Sequence, residues 1–131
     1  MSRKILIADD EPNIVAAIEF LLKQRGHEVH VAGDGAEALR IVERVVPDLV
    51  LLDVMMPQAS GYEVCQSIRK RPEWRQMKII MLSAKGRDAE VMKGLATGAD
   101  LYVTKPFSTR DLMARIEALL APPSSGEPAR S

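Results

Sequence analysis

This sequence predicts a doubly wound α/β fold, a parallel sheet with helices on both faces, and three observations carry that expectation. Four short apolar runs, Ile5–Ala8, Leu49–Leu52, Ile79–Leu82 and Leu101–Val103, are continuous rather than alternating, the pattern of strands covered on both faces. Stretches of helical periodicity lie between them. Strand and helix alternate five times, which calls for parallel strands joined by right-handed crossovers.

Taken in order, the first strand, Ile5-Leu6-Ile7-Ala8, runs into Asp9-Asp10-Glu11. Ile14, Ile18, Leu21 and Leu22 then recur on one helical face, and Gly26 is placed to stop that helix. Glu28-Val29-His30-Val31-Ala32 alternates apolar and polar and predicts an edge strand. Leu39, Val42 and Val46 mark a second helix, which Pro47 ends. Leu49–Leu52 leads into Asp53, and Val64 and Ile68 mark a third helix with Pro72 close behind. Ile79–Leu82 leads into Ser83; Val91 and Leu95 mark a short, weakly apolar fourth helix closing at Gly98. Leu101–Val103 is followed by Lys105-Pro106. Leu112, Ile116, Leu119 and Leu120 form the most regular helix, with Ser108 or Thr109 as its cap and Asp111 in its first turn. Residues 1–121 thus form the domain, and the Pro/Ser-rich residues 122–131 are expected to be a flexible tail or a linker.

Composition narrows the function. The chain has 131 residues, enough for one domain with a real core. Its 18 basic and 18 acidic side chains balance, so nucleic-acid binding through bulk charge is not expected. A single cysteine, Cys65, excludes an intrachain disulfide and suits a reducing compartment. No apolar stretch approaches the ~18 residues of a membrane span, and the N-terminus carries no signal-peptide core. The expectation is a cytoplasmic domain that engages no membrane.

In open α/β sheets the site lies at the carboxyl ends of the strands, beside the point where strand order reverses. In the order 2-1-3-4-5 the first and third strands are neighbours, which brings Asp9, Asp10 and Asp53 together. Three adjacent carboxylates repel one another and need raised pKa values or a cation. Mg²⁺ suits them, because it takes oxygen ligands, typically one or two carboxylates with waters and a phosphate oxygen. Lys105 supplies a compact positive charge at the same rim, and Ser83 a hydroxyl donor. Together these describe a phosphoryl-transfer site in which Asp53, alone at its strand tip, is the nucleophile. Any one of these aspartates alone would read as a helix cap; the whole set does not.

With these motifs the sequence closely resembles the receiver domain of bacterial two-component response regulators. The resemblance runs from Lys4 to about Ala121 and rests on Ile5-Leu6-Ile7-Ala8-Asp9-Asp10-Glu11, Leu49 to Pro57 around Asp53, Gly61, Leu82-Ser83-Ala84, Gly98-Ala99-Asp100 and Lys105-Pro106-Phe107. It implies the flavodoxin-like (βα)5 receiver fold and a phosphorylation-controlled switch rather than a metabolic enzyme. By resemblance, Asp53 accepts a phosphoryl group from a histidine kinase or phosphotransfer protein. Asp10, Asp53 and the backbone carbonyl of Met55 would ligate Mg²⁺, with Asp9 acting through water and Mn²⁺ as an alternative ion. Ser83, Ala84 and Lys105 would contact the phosphoryl group, Tyr102 would be the aromatic switch, and the peptide before Pro106 would be cis. Met55 and Lys85 stand where the family tunes autodephosphorylation.

The same resemblance implies an output surface on the fourth helix, fifth strand and fifth helix, read by a downstream protein or an attached effector domain. The stretches around Ser83 and Lys105 look most like receivers attached to winged-helix DNA-binding domains, which pair through that surface as homodimers. Lys93, Asp100, Asp111 and Arg115 are the candidates for cross-subunit ion pairs, although Leu101 stands where that subfamily has a second acid. An aspartyl-nucleophile phosphohydrolase would want an acid at Met55, and a flavin carrier would not place Asp9-Asp10-Glu11 at its phosphate loop. A non-phosphorylated scaffold is the remaining alternative.

Other residues read as structural. Cys65 is expected to pack as a small apolar residue. His27 and His30 lack metal-spaced partners and are expected at the surface or an edge. Trp74 should anchor the loop after the third helix, and Arg69-Lys70-Arg71 should be a solvated helix end suited to the helix dipole.

Overall fold

Five strands, β1 (Lys4–Ala8), β2 (Glu28–Ala32), β3 (Leu49–Asp53), β4 (Lys78–Ser83) and β5 (Leu101–Thr104), form one sheet in a computed structural model that describes residues 3–56, 58–84 and 86–121. The sheet is parallel throughout, in the order β2-β1-β3-β4-β5. Among the described residues the helices are α1 (Pro12–Gln24), α2 (Gly35–Val45), α3 (Gly61–Arg69), α4 (Asp88–Ala96) and α5 (Thr109–Leu120), with a 3₁₀ turn at Pro72–Trp74. Residues 122–131, and with them the expected tail, lie outside the described residues, as do Pro57 and Lys85.

Two apolar layers sandwich the sheet because side chains alternate along each strand. Leu6, Ala8, Val50, Leu52, Ile79 and Met81 point toward α2 and α3, where Ile41, Val42, Val64, Cys65 and Ile68 meet them. Ile5, Ile7, Leu49, Leu51, Ile80 and Leu82 point the other way, onto Ile18 and Leu22 of α1 and Leu112 and Ile116 of α5. β1, β3 and nearly all of β4 are buried, so their continuous apolar runs are those of doubly covered strands. β5 departs from that expectation: it is the second edge, and its residues are half-buried or exposed.

Local chemistry sets the helix boundaries. α1 begins with Pro at N1 and runs out at Gly26, whose φ of +86° is the left-handed turn that glycine accepts without a Cβ penalty. α2 is capped by Asp34, whose carboxylate accepts the Glu37 N–H at 2.8 Å. It ends one residue before Pro47, on Val46 in the left-handed region. α3 opens with a reciprocal capping box between Ser60 and Glu63. Of the two candidates for α5, Ser108 is the cap, accepting the Asp111 N–H at 3.2 Å. α4 is the least anchored helix, with Gly94 as its one fully buried residue and Met92 and Leu95 facing outward.

Two residue-level expectations change. His27 is buried, not at the surface: Nδ1 accepts the Arg3 backbone N–H at 3.2 Å and Nε2 lies 3.1 Å from Glu117 Oε2. It clasps the start of β1 to the last turns of α5, two segments that are remote in sequence. Arg69 is not a solvated helix end: it donates to Met77 O at 2.7 Å, Gly98 O at 2.8 Å and Asp100 Oδ2 at 3.0 Å. Asp100 Oδ2 in turn accepts the Ile79 N–H at 2.8 Å, so the Arg69 guanidinium and the start of β4 share one carboxylate. Cys65 is buried as expected, and burial pushes its thiol up to about 11. Trp74 is also buried, with the Arg71 guanidinium 4.2 Å from its ring centroid.

Candidate functional site

The acidic cluster stands at the carboxyl ends of β1 and β3. Register pairs Ala8 with Leu52, so the next residues along, Asp9 and Asp53, emerge side by side. Asp9, Asp10 and Asp53 offer carboxylate oxygens that all lie within 4.8 Å of one another. Asp9 and Asp53 are buried and Asp10 is exposed.

Backbone contacts hold each tip in place. Val54 N–H donates to Leu82 O at 3.0 Å, continuing the β3–β4 ladder past Asp53. Met55 N–H donates to Asp53 Oδ1 at 3.2 Å, and Glu11 N–H to Asp9 Oδ1 at 2.9 Å. Gly61 N–H donates to Val54 O at 2.9 Å, bringing the start of α3 against the end of β3. On the far side, Lys105 N–H donates to Ser83 O at 2.7 Å, and the Lys105–Pro106 peptide is cis.

The side chain of Lys105 crosses to the acids. Its Nζ lies 3.1 Å from Asp9 Oδ2 and 3.7 Å from Asp53 Oδ2, and it also contacts Glu11 Oε1. Asp9 Oδ2 is fully buried and, although close to the ammonium, accepts no hydrogen bond of good geometry. Burial raises the Asp53 carboxyl to about 6, reinforced by Asp9 and Asp10; the Met55 N–H and the Lys105 charge work against the rise. Burial alone would lower Lys105, but Glu11, Asp9 and Asp53 together hold its ammonium above the usual lysine range.

Ser83 is fully buried at the tip of β4, in register with Thr104. Ala84 is exposed just beyond it. Tyr102, half-buried on β5, shares a hydrogen bond with Tyr62 of α3, whose hydroxyl also donates to Glu90 O at 3.4 Å. Burial first, then Tyr102, pushes the Tyr62 phenol up to about 12. Lys93 places its ammonium over the Tyr62 ring, 4.4 Å from the centroid. This α3–α4–β5 contact joins segments remote in sequence, so local patterning carries no signal of it.

The described residues therefore bring Asp9, Asp10, Asp53, Met55 and Lys105 to one rim, with Ser83 on the neighbouring strand tip. Carboxylates of this density next to a lysine can hold a divalent cation and an anion together. The contact of Glu11 with Lys105 was not foreseeable from spacing, since the two are far apart in sequence.

Comparison with known proteins agrees with this geometry. Residues 5–117 match the family model described as the response regulator receiver domain. A response regulator from Chloroflexus aurantiacus J-10-fl is 33% identical, with a TM-score of 0.86 over 93% of this chain and 100% of that one. The BeF3-activated N-terminal receiver domain of Klebsiella pneumoniae RstA is 30% identical, with a TM-score of 0.82 over 90% of this chain and 99% of that one. The receiver domain of a sensor histidine kinase from Pseudomonas aeruginosa PAO1, solved with a magnesium ion in its active-site cleft, is 29% identical, with a TM-score of 0.81 over 91% and 98% of the two chains. The sheet order, the acidic rim and the extent of the match lead to one conclusion: this chain belongs to the receiver domains of two-component response regulators.

Proposed function

We propose that Asp53 accepts a phosphoryl group from the phosphohistidine of a kinase or phosphotransfer protein, and that residues 1–121 act as the switch this controls. The observation that carries the reading is the placement of Asp53, a buried carboxylate within 4.8 Å of two others and 3.7 Å from a lysine. In the transfer, one Asp53 oxygen forms a bond to phosphorus as the phosphorus–nitrogen bond of phosphohistidine breaks. The electron pair stays with the imidazole. Attack by water on phosphorus later releases phosphate and restores the carboxylate.

The residues fit Mg²⁺: the donors are hard oxygens, and Asp9, Asp10 and Asp53 bring them within 4.8 Å of one another. Asp10, Asp53 and the Met55 carbonyl would hold the ion, with Asp9 acting through water. When bound, Mg²⁺ neutralises the clustered carboxylates and the phosphoryl oxygens. Lys105 and Ser83, with the backbone at Ala84, hold the phosphoryl group, and Tyr102 follows the movement of Ser83.

The output surface is α4, β5 and α5, read by a protein target or an attached effector domain. The shallow anchoring of α4 and the outward-facing Met92 and Leu95 support this. A homodimer through the same face would use Lys93, Asp100, Asp111 and Arg115.

Borohydride reduction after incubation with a phosphohistidine donor tests the acceptor directly, because it converts an aspartyl phosphate to homoserine. Homoserine at position 53 is the expected result. Unmodified Asp53 after rapid quenching, with the phosphoryl group still on the donor, would remove Asp53 from the acceptor role and leave the non-phosphorylated scaffold.

A further inference from the structure

Glu11 stands at the N-cap of α1, yet its carboxylate makes no capping hydrogen bond. The following Pro12 leaves one fewer backbone N–H for it to accept. The side chain turns instead across the rim to Lys105, a residue 94 positions away, and the pair is in direct contact. Lys105 has three acidic neighbours, Glu11, Asp9 and Asp53, and Asp53 is the most distant of them. The Glu11 N–H bond to Asp9 Oδ1 fixes the backbone from which the carboxylate reaches.

We propose that Glu11 is a positioning residue that holds Lys105 off Asp53 before phosphorylation and competes with the phosphoryl group for it afterwards. The inference rests on the phosphoacceptor reading above. A phosphoryl group on Asp53 brings nearly two negative charges to the lysine. Lys105 can serve them fully only by leaving Glu11, so the Glu11 contact is a cost set against every anion that binds at Asp53. The ammonium is nearly buried, at 10% side-chain exposure, while Glu11 is half in water at 52%. Glu11 is therefore the partner most easily released, which suits a reversible hold.

Beryllium fluoride, a phosphoryl mimic, tests this at saturating Mg²⁺, with affinity measured by calorimetry. Glu11→Gln keeps the size and removes the competing charge; it should bind about threefold to tenfold more tightly than wild type. Glu19→Gln removes the same charge from an exposed i,i+4 pair with Lys23 and should leave the affinity unchanged. A gain is the informative direction, because a merely structural loss weakens binding. Unchanged or weaker binding by Glu11→Gln overturns the proposal, and so does an equal gain in both variants, which would be a bulk-charge effect. Failure of all three folded chains to bind would instead remove the phosphoacceptor reading, and the hold with it.

Discussion

Gly61 touches the strand end that carries Asp53 so closely that a Cβ at position 61 would lie 2.5 Å from the Asp53 carbonyl oxygen. The obstruction is backbone, which cannot swing aside as a flexible side chain would. Gly61→Ala should therefore push α3 away from the tip of β3, at a cost of about 1–3 kcal/mol. Gly33→Ala is the control, since its nearest atom would be Glu37 Oε1 at 4.0 Å. Urea denaturation should show a lowered midpoint for Gly61→Ala and little change for Gly33→Ala. Equal midpoints would mean that the close approach constrains nothing.

Asp53 makes stability depend on pH in a stated direction. Its carboxyl titrates at about 6 when folded and at the ordinary 3.8 when unfolded, so the folded chain holds the extra proton between those values. Below 3.8 both states are protonated and nothing is lost. As pH rises through that window the metal-free protein loses stability, on the order of 3 kcal/mol by pH 7. Asp53→Asn should thus raise the melting temperature at pH 7 and leave it nearly unchanged at pH 3.5. A variant less stable than wild type at pH 7 would contradict the burial argument.

Mg²⁺ competes with that proton. Titration by calorimetry should show affinity falling as pH drops below about 6, because the ion needs Asp53 ionised. Asp10→Ala should lose roughly tenfold or more at pH 7 without unfolding, since Asp10 is exposed. An unchanged titration would remove Asp10 from the ligand set.

Arg69 ties α3 to the β4 and β5 ends through three acceptors. Arg69→Met keeps most of the apolar stem and deletes the hydrogen bonds, leaving the Gly98 and Met77 carbonyls short of partners. A loss of about 2–3 kcal/mol is expected in denaturant unfolding. A loss below about 0.5 kcal/mol would mean that the guanidinium behaves as an ordinary surface group.

Much of this molecule was legible in its sequence, for physical reasons. Strands buried on both faces must be apolar throughout, so β1, β3 and β4 stood out. Parallel strands end on one side of the sheet, so polar residues at Asp9, Asp53, Ser83 and Lys105 had to share a rim. Edge strand β5 misled because Leu101-Tyr102-Val103 is as apolar as an inner strand but short. The clasps formed by His27 with Glu117, Arg69 with Asp100 and Lys105 with Glu11 left no trace in local patterning. Each joins segments that only the tertiary fold brings together, so a charged residue near a helix end looked solvated when it was not.

The most direct test of the central claim is intact mass after incubation with a small acyl-phosphate donor, with and without Mg²⁺, for wild type and Asp53→Asn. Wild type should gain one phosphoryl group, dependent on Mg²⁺ and absent from the variant. An adduct of equal yield on Asp53→Asn, or none on folded wild type after rapid quenching, would contradict it.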